Sequence, residues 1–227
     1  MLSEIAAMTK VTTVVFDVGR VLVQWDLRHL FAKLIDDAAE LDWFLANVVT
    51  PEWHFQHDAG RPLAEMLPEL KSQYPAYAAH IDAYATRFNE TIPGPVPGSY
   101  EIVEELAERG VPLFAITNFG AEFWGGFRPT QPIFDHFRDI IVSGVEKMVK
   151  PDAVIYRLAL TRFDLSPGEA IFIDDNLPNV VAARENGFVA HHFIDASTLR
   201  AELAAMELCA QQKNLALPDF HSPAGCA

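Results

Sequence analysis

Cysteine is nearly absent from this chain of 227 residues, which holds only Cys209 and Cys226. Two thiols near one end make no disulfide framework and lack metal-ligand spacing, which points to a reducing compartment. Positive charge is scarce as well. The 17 Lys and Arg stand against 31 Asp and Glu, a net −14 that repels phosphate backbones and argues against nucleic-acid binding. Nowhere do about 18 apolar residues run consecutively, so no membrane-crossing helix is expected. The first ten residues (MLSEIAAMTK) lack the apolar stretch of a signal peptide. No G-x-G-x-x-G, G-x-S-x-G or P-loop pattern occurs, which sets aside dinucleotide-binding fingerprints, elbow-type serine hydrolases and P-loop NTPases. The expectation is an acidic, soluble, cytoplasmic protein with no membrane or nucleic-acid partner.

What is present is ample core material: 50% of residues are hydrophobic and 21% charged. Val11 to Phe16 is a β-branched run that stops abruptly at Asp17 and Gly19. Similar runs recur at Val111–Ile116, Ile140–Val142, Ala170–Ile173 and Val189–Phe193. Unbroken apolar strands belong to parallel sheets covered on both faces. Helical patterns at Tyr100–Arg109, Ala153–Phe163 and Val180–Asn186 alternate with them. The predicted fold class is therefore α/β, a doubly wound parallel sheet. From Leu27 to about residue 92 no strand pattern appears, only helical segments punctuated by Pro51, Gly60-Arg61-Pro62, Pro68 and Pro75. This predicts a core at 1–26 and 93–212 with an inserted helical cap at 27–92. Thr91–Gly98 (TIPGPVPG) reads as a hinge or semi-rigid linker, and residues 213–227 as a poorly ordered tail.

In open α/β sheets, ligands bind beyond the carboxyl ends of the strands. The residues there are Asp17-Val18-Gly19, then Thr117-Asn118, then Lys150-Pro151, then Asp174-Asp175-Asn176. Taken singly, each has an ordinary explanation as a turn former, helix cap or surface charge. Together and in order they bring a carboxylate nucleophile, a hydroxyl–amide pair, a lysine and two further carboxylates to one crevice. That is the set phosphoryl transfer needs.

FDVGRVL, ITN, VKPD and FIDDN resemble the four motifs of the haloacid dehalogenase superfamily, in that family's order, over roughly residues 11–205. The helical insertion is similar to the small cap of its sugar-phosphate phosphatase subfamily. The resemblance implies a hydrolase acting on a small phosphorylated metabolite. Asp17 would form an aspartyl-phosphate. Mg²⁺ would be held by Asp17, the Gly19 carbonyl and Asp175, with Asp174 in contact or one step removed. Thr117 and Asn118 would hold the transferring oxygens. Lys150 would neutralise Asp17 and the developing charge.

The sequence departs from that pattern at one point. Phosphatases of the family usually carry D-x-D, and Gly19 stands where the second Asp would protonate the leaving group. Relatives with D-x-G are still assigned as phosphatases, so water or a cap residue would substitute. His57, Asp58 and Arg61 are the cap candidates for substrate contact, His57 and Asp58 for the proton. The other readings are a 2-haloacid dehalogenase, with Arg20 or Arg28 for the substrate carboxylate, or a catalytically weak binding module. The His54-x-x-His57 pair reads as cap packing, Trp25 and Phe119 as core, and His191-His192 as strand residues without chemistry.

Overall fold

The structure is a computed structural model that describes residues 10–210. The tail from 213 and Cys226 lie outside that range. In chain order the elements are β1 (Thr13–Phe16), α1 (Arg28–Phe31), α2 (Ala38–Asn47), α3 (Pro51–Asp58), α4 (Leu63–Gln73) and α5 (Ala78–Thr86). Then follow α6 (Ser99–Glu108), β2 (Leu113–Thr117), α7 (Ala121–Phe127), β3 (Asp139–Val142), α8 (Ser143–Glu146) and α9 (Ala153–Arg162). The chain continues through β4 (Ala170–Asp174), α10 (Leu177–Glu185), β5 (Val189–His192) and α11 (Ala196–Ala205).

The five strands are parallel in the order β3-β2-β1-β4-β5. Alternate residues of each strand feed opposite faces. Val14, Phe16, Ile171 and Ile173 pack on one side with Ile102 and Leu106 of α6 and Leu199 and Leu203 of α11. Val15, Phe114, Ile116 and Phe172 pack on the other with Ile155 and Tyr156 of α9 and Val180 of α10. Two covered faces explain why the strands read as continuous apolar runs rather than alternating ones. The sheet is the expected one. Helices α7, α8 and α11 are additions that the apolar pattern did not mark.

Between β1 and β2, the described residues form helices and short 3-10 turns without a named strand. Local sequence explains two of the starts. Asp37 accepts from the Glu40 amide at 2.8 Å, and Thr50 accepts from the Trp53 amide at 3.1 Å with Pro51 in the first turn. The apolar cluster is continuous from this segment into the sheet side: Phe31, Phe44 and Tyr84 belong to the same cluster as Phe119 and Phe123. Phe88 stacks on Phe123 at 3.8 Å between centroids and 5° between planes, a pairing worth ~0.5–1.5 kcal/mol beyond the buried area.

The Pro/Gly segment differs from the expected linker. Val96 N donates to Leu22 O at 2.9 Å, and Gln24 N donates to Gly94 O at 2.9 Å. The returning chain is thus tied antiparallel to the outgoing chain, with Val23 and Pro95 bridged. Entry and exit of the helical segment are fastened together.

Candidate active site

The sheet order reverses at β1, and β1 lies beside β4 with Phe16 level with Ile173. The next residue of each strand line, Asp17 and Asp174, therefore meets its counterpart at the carboxyl edge. Asp17 N donates to Ile173 O at 2.8 Å, fixing that height. Lys150, at the mouth beyond β3, is 1% exposed. Its Nζ stands 2.8 Å from Asp17 Oδ1 and 2.7 Å from Asp174 Oδ2. A fully buried ammonium is tolerable only with such partners, and the two carboxylates hold its pKa above the usual lysine value against burial.

Asn118 fastens the lysine loop. Its Nδ2 donates to Lys150 O at 3.0 Å, and Lys150 N donates to its Oδ1 at 2.9 Å. The side chain is therefore engaged with backbone, while the residue still lines the cleft. Thr117 is 1% exposed and does not line it; its Oγ1 is buried without a hydrogen-bond partner.

Asp17, Asp174 and Asp175 each offer an oxygen within 4.8 Å of the others. Asp174 is saturated by protein donors: Asn176 N at 2.8 Å, Asn179 Nδ2 at 3.1 Å to both oxygens, and Lys150. Asp17 Oδ1 accepts from Val18 N at 2.7 Å and from Lys150. Burial pushes the Asp17 carboxyl up to about 7, against the pull of Lys150. Burial and the charge of Asp174 push Asp175 up too. Arg20 pulls Asp175 down as Lys150 does, yet three carboxylates still outnumber the two cations, and hard oxygen donors of this kind fit Mg²⁺. Gly19 lines the same cleft, and among the described residues no backbone amide donates to its carbonyl, since the Gly19–Val23 bridge runs through Val18 O and Arg20 N.

The cleft above holds about 620 Å³. Its outer walls are Val23, Trp25, Phe88, Ile92, Phe119 and Leu177. Trp25 and Phe119 are thus walls as well as packing residues. His54 belongs to this wall: its ring stacks on Trp25 at 4.9 Å and on Phe88 at 5.8 Å. Burial pushes its imidazole down to about 3, so it is neutral at pH 7.

The three residues expected to reach a substrate from the helical segment are placed differently. Asp58 lines the cleft. His57 is buried against Phe123 and Gly120, with Nδ1 2.9 Å from Arg61 O. Arg61 points to the surface, where it pairs with Gln56 at 2.7 Å and Glu69 at 2.6 Å. Two residues escaped the sequence reading. Asn179, which orients Asp174, sits one helical turn past the fourth motif. His192 lines the cleft because its register partner is Asp174, and its Nε2 lies 2.9 Å from Asp175 O; strand alternation alone did not say which face mattered.

A switch-point cleft with an aspartate, a buried lysine and a carboxylate cluster defines a hydrolase class. The family of haloacid dehalogenase-like hydrolases matches residues 11–187, and the chain belongs to it. It is 29% identical over 198 residues to the sesquiterpene phosphatase astK of Aspergillus oryzae, covering 86% of this chain and 96% of that protein. A phosphoglycolate phosphatase of Pseudomonas putida is 29% identical over 112 residues, 49% of this chain and 40% of that protein. Among solved structures, a magnesium complex of a family enzyme from Bacteroides thetaiotaomicron superposes with TM-score 0.64 at 18% identity, over 83% of this chain and 95% of that one. The L-2-haloacid dehalogenase of Xanthobacter autotrophicus gives 0.58 at 17%, over 94% and 95%. At these identities the structural likeness is one of fold.

Proposed function

We propose that the protein is a Mg²⁺-dependent phosphatase that hydrolyses small phosphomonoesters of apolar alcohols through an aspartyl-phosphate on Asp17. The observation that carries this is Lys150 held between Asp17 and Asp174, with Asp175 completing a cluster of three carboxylates. A dehalogenase attacks a carbon bearing less charge and has no need of so many carboxylates around its nucleophile. Asp17, Asp175 and the Gly19 carbonyl would hold the cation, with Asp174 oriented behind them. When bound, Mg²⁺ would offset repulsion between the phosphate and Asp17. Lys150 screens the nucleophile and the transferring oxygens. Thr117, buried behind the cleft rather than lining it, would make no contact with the phosphate. The helices at 27–92 would act as the cap whose aromatic wall takes the alcohol.

The wall residues support an apolar alcohol over a sugar. The side chains of Trp25, Phe88, Ile92 and Phe119 offer no hydrogen-bond acceptor, so each polyol hydroxyl buried against that wall would cost about 1–3 kcal/mol. The name of the Aspergillus relative points the same way. A panel of prenyl, alkyl, aryl and sugar phosphates and 2-haloacids, with and without EDTA, tests this. Prenyl or alkyl phosphates should lead in kcat/KM, and EDTA should abolish turnover. Haloacid turnover that survives EDTA would sink the reading.

A further inference from the structure

We infer that Asp58, delivered by the C-terminal end of α3, is the general acid and base that the first motif lacks. This inference rests on the phosphatase reading above.

Its position is fixed from the core side. Ser143, the residue after β3, donates from Oγ to Asp58 O at 2.6 Å, while the same Oγ accepts from Phe119 N at 2.9 Å. Phe119 follows Asn118, so one buried hydroxyl ties the Asp58 backbone to the loops beyond β2 and β3. The carboxyl group is 6% exposed as a residue and lines the cleft that contains Asp17.

The side chain is oriented by its neighbours. Its Oδ2 lies 3.3 Å from His54 Nε2, and His54 Nδ1 lies 2.7 Å from Tyr84 Oη. If the Tyr84 hydroxyl donates to Nδ1, the imidazole proton sits on Nε2 and is donated to Oδ2. The carboxyl proton then belongs on Oδ1, which is buried and, among the described residues, has no partner within hydrogen-bond geometry. An unpaired buried polar atom is costly, and a proton on it would pass to a leaving oxygen once the carboxyl turns toward the cleft it lines. The groups facing Asp58 are His54, Tyr84, Asp17 and Lys150, with His57 one residue before it. Burial pushes its carboxyl up to about 8, the Gly120 amide and Lys150 opposing and Asp17 adding. It is therefore protonated at pH 7, as an acid must be.

The steps balance. Asp17 forms an O–P bond as the bond to the alcohol oxygen breaks; that oxygen keeps the electron pair and takes the proton from Asp58 Oδ1. Water then attacks phosphorus and gives a proton to the Asp58 carboxylate. The bond to Asp17 breaks with its pair returning to the carboxylate, and inorganic phosphate leaves.

The test compares wild type and Asp58→Asn, an isosteric and neutral change, on butyl phosphate and p-nitrophenyl phosphate. p-Nitrophenolate leaves without help, so the variant should release one equivalent in a burst within about threefold of the wild-type rate, then turn over slowly. Butyl phosphate turnover should fall ~10²-fold or more with no burst of alcohol. The aryl burst also certifies a folded site. A burst slowed as much as butyl phosphate turnover, or no loss on either substrate, overturns the assignment of Asp58. Wild type that cleaves neither ester overturns the phosphatase reading itself, and the inference with it.

Discussion

The His57 ring occupies the place where a side chain at Gly120 would begin. A Cβ built there would lie 2.0 Å from His57 Cδ2 and 2.2 Å from Nε2. Gly120 precedes α7, and His57 is in the last turn of α3, so this contact seats the helical segment on the loop beyond β2. His57 is 2% exposed and tethered to Arg61 O at 2.9 Å, so its ring has no easy retreat.

Gly120→Ala should therefore cost about 1–3 kcal/mol in urea unfolding, the range for overpacking. It should also slow butyl phosphate turnover, because the turn that moves carries Asp58. In a His57→Ala background the same substitution should cost only a few tenths of a kcal/mol. That coupling separates the clash from any effect on the start of α7.

Lys150 gives a second test. Replacing it with Met leaves Asp17 and Asp174 buried without their shared cation. Breaking such an arrangement typically costs ~3–5 kcal/mol. Turnover should fall ~10²-fold or more, the scale for removing one preorganised charge. Added Mg²⁺ should raise the unfolding midpoint of the variant more than that of wild type. A variant as stable as wild type would mean that one of the two carboxylates already carries a proton.

The sheet and the four strand-end motifs were legible because buried parallel strands are apolar throughout; Asp17 follows β1 directly and Asp174 ends β4, while Lys150 comes eight residues past β3. The helices between β1 and β2 correspond to a stretch of sequence without such runs. What lay hidden depends on contacts between distant segments. Arg61 and His57 sit within four residues of Asp58, yet the helix turns His57 about 100° away and Arg61 falls in the turn beyond α3, so of the three only Asp58 reaches the cleft. His192 required the β4–β5 register. His54 looked like packing and is packing, but its stack on Trp25 and Phe88 also lines the cleft. The Pro/Gly segment resembled a free linker because backbone pairing with Leu22 and Gln24 leaves no mark in side-chain pattern.

Stability against pH should expose the His54–Asp58 pair. Folded His54 titrates near 3 against an unfolded value near 6.5, so its contribution is present above 6.5 and falls as the pH drops toward 3. Folded Asp58 titrates near 8 against an unfolded value near 3.8, so its contribution is present below 3.8 and falls as the pH rises toward 8. Between about pH 4 and 6.5 the two slopes oppose, each up to ~1.4 kcal/mol per pH unit. Relative to wild type, Asp58→Asn should lose stability as pH falls through this window, and His54→Gln as pH rises through it. Parallel curves for all three proteins would rule out a neutral pair.

Gly19 offers the most direct test of where the proton comes from. Its φ is not in the left-handed region, and a Cβ there would meet nothing within 4 Å. Nothing steric therefore requires glycine, and Gly19→Asp should fold, with some loss from placing a fourth carboxylate near Asp17, Asp174 and Asp175. Alone, the substitution should change butyl phosphate turnover little if Asp58 already supplies the proton, because a second acid adds nothing once the first is in place. In the Asp58→Asn background the same carboxyl group should restore butyl phosphate turnover by ~10-fold or more, part of the range a positioned general acid provides. It should also flatten the dependence of rate on leaving-group acidity. A large gain in the wild-type background would instead mean that no residue now serves as the acid and that protons come from solvent.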